Sequence, residues 1–114
     1  MQQKIDKPWG YEIIWAKTDQ YVGKKLKINP GCRLSLQYHE KKRETIYVSD
    51  GVLELHLKDK VIFLNKGESF HIEPGTIHRF ACSDQAGSVE LMEVSTTELD
   101  DVVRLQDDYG RQDA

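Results

Sequence analysis

Cysteine and proline are both scarce in this sequence. Cys32 and Cys82 are the only cysteines in 114 residues, too few and too far apart to suggest a disulfide framework. Two free thiols are expected. No apolar run approaches the roughly 20 residues that a membrane helix needs, and residues 1–9 are polar, without the apolar stretch of a signal peptide. The expectation is a cytoplasmic protein with no membrane partner. Nor is there an excess of one charge. Sixteen Lys and Arg against 19 Asp and Glu leave a net charge of −3, which gives no ground for expecting a nucleic-acid binder. Lys24, Lys25, Lys27, Arg33, Lys41, Lys42 and Arg43 form a local basic cluster. It reads first as a solvated face, though one or two members would suit a compact anion such as a sugar phosphate. Helical periodicity is missing too, since residues 97–105 offer the one weak helical pattern.

What is present has the texture of an all-β protein. Short apolar runs recur between turn signals, as in a sandwich or barrel. Strands are predicted at residues 12–16, 24–28, 34–39, 45–48, 53–57, 61–64, 69–72, 78–81 and 89–94. Turns are marked by Asn29-Pro30-Gly31, Ser49-Asp50-Gly51, Lys58-Asp59-Lys60, Asn65-Lys66-Gly67 and Pro74-Gly75, whose residue types favour tight reversals. A chain of this length is one domain, 1–114, with 1–6 and 112–114 expected to be flexible.

One strand carries an unusual face. Residues two apart on a strand share a face, so Ser35, Gln37 and His39 lie together, opposite Leu34, Leu36 and Tyr38. If the polar face looks into a barrel, it is a site; if it looks outward, it is an ordinary exposed strand. Glu44 follows a polar break and can open a new strand aimed back at His39. His78 arrives just after the Pro74-Gly75 turn. Two imidazoles, an amide and a carboxylate suit zinc, iron, manganese, cobalt or nickel.

These intervals resemble the cupin family. Gly31, five residues, Gln37-Tyr38-His39, four residues, Glu44, six residues and Gly51 match its first motif, with Gln37 in place of the usual first His. Gly67, five residues, Glu73-Pro74-Gly75, two residues, His78, three residues and Cys82 match the spacing of its second. The resemblance implies an all-β single-domain cupin, a double-stranded β-helix or jelly-roll barrel. Leu34-Ser35-Leu36-Gln37-Tyr38-His39 is further similar to the metal-binding strand of mannose-6-phosphate isomerases. Lys7-Pro8-Trp9-Gly10-Tyr11-Glu12 and the segment from Val103 to Arg111 are similar to the C-terminal cupin part of type II mannose-6-phosphate isomerase/mannose-1-phosphate guanylyltransferases. That resemblance implies one divalent metal, zinc first, held by Gln37, His39, Glu44 and His78.

The implied activity is a metal-dependent aldose–ketose isomerase converting mannose 6-phosphate and fructose 6-phosphate through an enediolate that the metal stabilises. The alternatives are a non-catalytic sugar-binding cupin, action on another sugar as isomerase or epimerase, and an iron dioxygenase. Arg104 is the candidate catalytic and anion-binding residue, because its fork suits phosphate or an oxyanion; a salt bridge to Asp100, Asp101 or Asp108 is the competing reading. Lys24 and Ser35 are the other candidate substrate-binding residues. Glu93 is a possible general base, with its facing left open by alternation with Met92 and Val94. His56 and His71 read as surface residues, Trp9 and Trp15 as packing, Cys82 as a small buried residue. The partner expected is a sugar or sugar phosphate, and a homodimer is expected by resemblance.

Overall fold

The computed structural model describes residues 2–83 and 87–111. The described residues form antiparallel strands in two sheets: β1 (Gln3–Lys7), β2 (Gly10–Lys17), β3 (Val22–Ile28), β4 (Leu36–Tyr38), β5 (Glu44–Asp50), β6 (Val52–Leu57), β7 (Val61–Asn65), β8 (Ser69–Ile72), β9 (His78–Ala81), β10 (Val89–Ser95) and β11 (Val103–Gln106). One sheet runs β1-β2-β3-β10-β5-β8 and the other β11-β4-β9-β6-β7. The protein is an all-β cupin barrel. The described residues contain no helix, and so none that is long and apolar enough to cross a membrane.

Alternation sets the inside. In β5 and β10 every second residue is buried, from Glu44 through Ile46 and Val48, and from Val89 through Leu91 and Glu93 to Ser95. Period-two burial is what a sheet with one packed face requires. Ile28, Ile46, Leu53, Leu55, Phe80 and Leu91 meet between the sheets and are almost wholly buried, each contributing about 1.5–3 kcal/mol of burial. Gly10 opens β2 at φ +152, where a Cβ would lie 1.9 Å from the Lys27 carbonyl oxygen. Only glycine lets β2 and β3 close there.

Three expectations need correction. Residues 3–6, within the stretch 1–6 expected to be flexible, belong to strand β1, paired to β2 from Gln3↔Ile14 to Lys7↔Gly10. The weak helical pattern at 97–105 is overridden: Val103–Gln106 is strand β11, and its pairing with β4 satisfies its backbone. The strand expected at 34–39 shrinks to Leu36–Tyr38. Its register explains why. Leu34 N–H bonds to Phe80 O at 2.9 Å, whereas Gln37 pairs with His78, so one extra residue sits on the β4 side. The buried Arg79 guanidinium fills this bulge, donating to Leu34 O at 2.8 Å and Gln106 O at 3.2 Å. A bulge rotates side chains out of strict alternation; Leu34 and Ser35 are consecutive yet both buried. Residues 112–114, expected to be flexible, lie outside the described residues.

Candidate metal centre

His39 lies one residue beyond β4, His78 opens β9, and Glu44 opens β5 in the opposite sheet. The donor atoms of these three buried residues all lie within 4.8 Å of one another. His39 Nε2 is 3.4 Å and His78 Nε2 is 3.3 Å from Glu44 Oε1. Each imidazole is held from behind by a carbonyl, His39 Nδ1 on Asp101 O at 2.5 Å and His78 Nδ1 on Thr76 O at 2.8 Å. A carbonyl only accepts, so each Nδ1 carries the proton. In a neutral ring the Nε2 lone pair then faces the carboxylate.

Acceptors facing acceptors in a buried space need a cation between them. Both Glu44 oxygens and His78 Nε2 lack a hydrogen-bond partner among the described residues. Ligand atoms 2.0–2.1 Å from one tetrahedral ion stand about 3.3–3.4 Å apart, which matches the two nitrogen–oxygen separations found. Outer nitrogens tied to carbonyls are the usual support of metal-bound histidine. The three residues therefore fit a divalent ion. Gln37 lines the same cavity and is the direct cross-strand partner of His78, so its amide leaves the sheet on the same side.

Lys42 is buried beside these three donors. Its Nζ stands 3.3 Å from Glu44 Oε2 and 3.1 Å from Glu93 Oε2, as ion-pair contacts. Burial alone would lower its pKa, but Glu93 and Glu44 outweigh burial and raise it. For Glu44, burial pushes the pKa up, and the two imidazoles, where their Nε2 atoms donate to it, together with Lys42 more than reverse this, holding it well below the carboxylate range. Glu93 is raised, first by its burial and then by Glu44, against the pull of Lys42 and Lys24.

The cavity beside these groups measures about 120 Å³. Lys24 lines it, with Nζ 3.2 Å from Glu12 Oε2, and Lys7 reaches the other oxygen of Glu12 at 3.5 Å. Ser35 and Arg104 line it as well, Arg104 standing opposite Gln37 across β11 and β4. Arg111 completes the lining from the chain's end, its guanidinium on Asp107 at 2.8 Å. Six of the seven sequence-derived site residues thus line one cavity, and the seventh, His78, meets His39 and Glu44 at its edge. Sequence reasoning missed Lys7, Lys42, Arg111 and Asp101. Lys42 read as part of a solvated cluster, but it is only 5% exposed. Asp101 accepts the backbone N–H groups of Glu40, Lys41 and Lys42 at 3.1, 2.7 and 2.9 Å, gripping the turn between two metal-site residues. Glu93 faces inward, a facing that Val89 and Leu91 at the same parity would have signalled.

His56 pairs with Glu54, and His71 with Thr45 and Glu73, away from the three donors. Trp9 is core, Cys82 is buried, and both cysteines are free. Trp15 packs at the rim: it is 40% exposed, with its ring lying over Gly23, where a Cβ would meet it at 2.7 Å.

Residues 1–107 match the family model described as mannose-6-phosphate isomerase C-terminal. The chain belongs to this family. Among curated relatives of this cupin family, mannose-1-phosphate guanylyltransferase ManC of Salmonella typhimurium is 35% identical, covering 97% of this chain and 24% of that protein. Xanthan biosynthesis protein XanB of Xanthomonas campestris is 32% identical, covering 96% and 24%. The chain thus spans about a quarter of the length of the curated relatives it matches. Among solved structures, KdgF from Halomonas sp. superposes with a TM-score of 0.77 at 20% identity, covering 86% of this chain and 90% of that one. A cupin-superfamily sugar phosphate isomerase from Silicibacter pomeroyi gives 0.68 at 20%, covering 75% and 58%. At such identity these two support the fold alone. The expectation of a mannose 6-phosphate/fructose 6-phosphate isomerase is corrected by the relatives. Those aligned along nearly all of this chain are enzymes named as guanylyltransferases or as polysaccharide biosynthesis proteins, not as isomerases.

Proposed function

We propose that this chain is a metal-dependent binding domain for a phosphorylated sugar of the mannose 1-phosphate type. The observation that carries the reading is one cavity with two poles. At one pole His39, Glu44 and His78 converge, with Gln37 beside them. Around the rest stand Lys7, Lys24, Arg104 and Arg111, with Glu12 the carboxylate between the two lysines. Zinc is the ion we assign, because two imidazoles, a carboxylate and an amide suit it. When bound, such an ion draws electron density from the sugar oxygens it touches.

The residues divide the remaining work. The guanidinium of Arg104 takes the anionic end in a forked contact. Lys24 and Lys7 add positive potential that their shared Glu12 only half cancels. Ser35, buried at the bulge, supplies a hydroxyl toward the sugar. The name of the relatives supplies the sugar phosphate: mannose-1-phosphate guanylyltransferases carry a region like this chain. A homodimer is part of the proposal, and sedimentation equilibrium reads it.

The deciding experiment is titration calorimetry of zinc-loaded protein with mannose 1-phosphate, mannose and inorganic phosphate. Binding of the sugar phosphate that exceeds both fragments and disappears on chelation supports the reading. Equal binding with and without zinc, or none with zinc bound, overturns it.

A further inference from the structure

Glu44 offers two oxygens to two different kinds of partner. Oε1 faces both imidazoles at 3.3 and 3.4 Å. Oε2 faces the Lys42 ammonium at 3.3 Å. A carboxylate that chelates one ion with both oxygens must aim both at it, and here one is claimed by a lysine. We propose that Lys42 is a positioning residue that confines Glu44 to one oxygen on the metal, which keeps a coordination position open for the ligand. The inference rests on the metal-binding reading above and deepens it.

Lys42 is built for the task. A buried ammonium is costly unless paired, and this one is paired twice, since Glu93 Oε2 also holds it at 3.1 Å. Its backbone is equally fixed. Asp101 accepts the N–H groups of residues 40–42, and the next residue, Arg43, donates its N–H to Thr96 Oγ1 at 3.0 Å. An ammonium that followed Glu44 as the carboxylate turned would have to give up its contact with Glu93. An ammonium beside a divalent ion also repels it. The arrangement gives up metal affinity for an open position.

The test compares wild type, Lys42→Met and Lys42→Arg, each as the full chain loaded with zinc. X-ray absorption counts the oxygen and nitrogen donors around the ion, a chromophoric chelator measures zinc affinity, and calorimetry measures mannose 1-phosphate affinity. In Lys42→Met the carboxylate is expected to chelate, adding one oxygen at the metal. Zinc affinity should hold or tighten, while mannose 1-phosphate affinity falls about tenfold or more, the range of changes around a metal site. Lys42→Arg restores the cation and should restore the wild-type shell. A fall of zinc and sugar phosphate affinity together, or an unchanged shell in Lys42→Met, overturns the inference while leaving the metal site in place. Should Lys42→Met not fold, wild type alone still decides: a chelating carboxylate in its zinc shell overturns the inference, and a single-oxygen carboxylate supports it. Failure of wild type to bind zinc at all overturns the functional reading as well.

Discussion

Gln37 and His78 stand directly opposite each other on neighbouring antiparallel strands, while Glu44 reaches them from the other sheet. The donors therefore tie the two sheets together, and a bound ion should stabilise the fold. At a free zinc concentration 100 times Kd the gain is about 2.7 kcal/mol, several degrees in Tm for a domain of this size. Chelator should remove that gain from wild type. His78→Ala should show none of it, and Gln37→Ala only part. Differential scanning calorimetry with and without zinc reads all three, and a zinc-dependent Tm that survives in His78→Ala would count against the site.

Asp101 is the residue most exposed to a single test of local structure. Its carboxylate takes three backbone N–H groups and its carbonyl takes His39 Nδ1. Asp101→Ala should cost about 1–3 kcal/mol from lost hydrogen bonds and loosen zinc binding, because the turn that joins His39 to Glu44 is freed. Urea unfolding gives the first number and chelator competition the second. An unchanged zinc affinity would show that the turn holds itself.

Stability should fall in acid through the C-terminal segment. Asp108 accepts two bonds from Arg33 at 2.7 and 2.9 Å, and this pairing with Arg33 holds its pKa below its ordinary 3.8. Asp107 is lowered in the same way by Arg111. A carboxyl depressed on folding stabilises the folded state fully above its unfolded pKa. That contribution is lost as pH falls from about 3.8 through the lower folded value. Arg33 and Asp108 are each 43% exposed, so screening keeps this pair below about 1 kcal/mol. Arg33→Ala should lose that increment at pH 7 and show a shallower acid decline than wild type. Equal slopes below pH 4 would remove Asp108 from the account.

Gly10→Ala should be strongly destabilising although it adds one methyl group. At φ +152 the new Cβ would meet the Lys27 carbonyl at 1.9 Å, so the start of β2 must part from β3. A Tm within a few degrees of wild type would mean that the strands can shift there freely.

The element pattern was largely legible because burial on one face imposes alternation. Leu53-Glu54-Leu55-His56-Leu57 and Val89 to Val94 read correctly as strands for that reason. The failures were at edges and bulges. Gln3–Lys7 is a polar edge strand with little to bury, so its composition resembles a loose terminus, and only its partner β2 makes it a strand. The Leu34 bulge broke the simple parity argument, because its extra residue is visible only against β9.

For the site, the sequence by itself determined the types and spacing of the donors: Gln37, His39, Glu44 and His78 in intervals that resemble cupin motifs. It also determined the family. Only the tertiary structure decided which charges go inside. Lys42 sits in a run of polar residues that looks solvated, and Glu44, two residues on, is not by itself a partner strong enough to hold it out of water. Glu93 on β10 and Glu44 on β5 supply that partner once the sheet brings them together. The cost of burying a charge depends on its neighbours in space, so its place was a property of the fold.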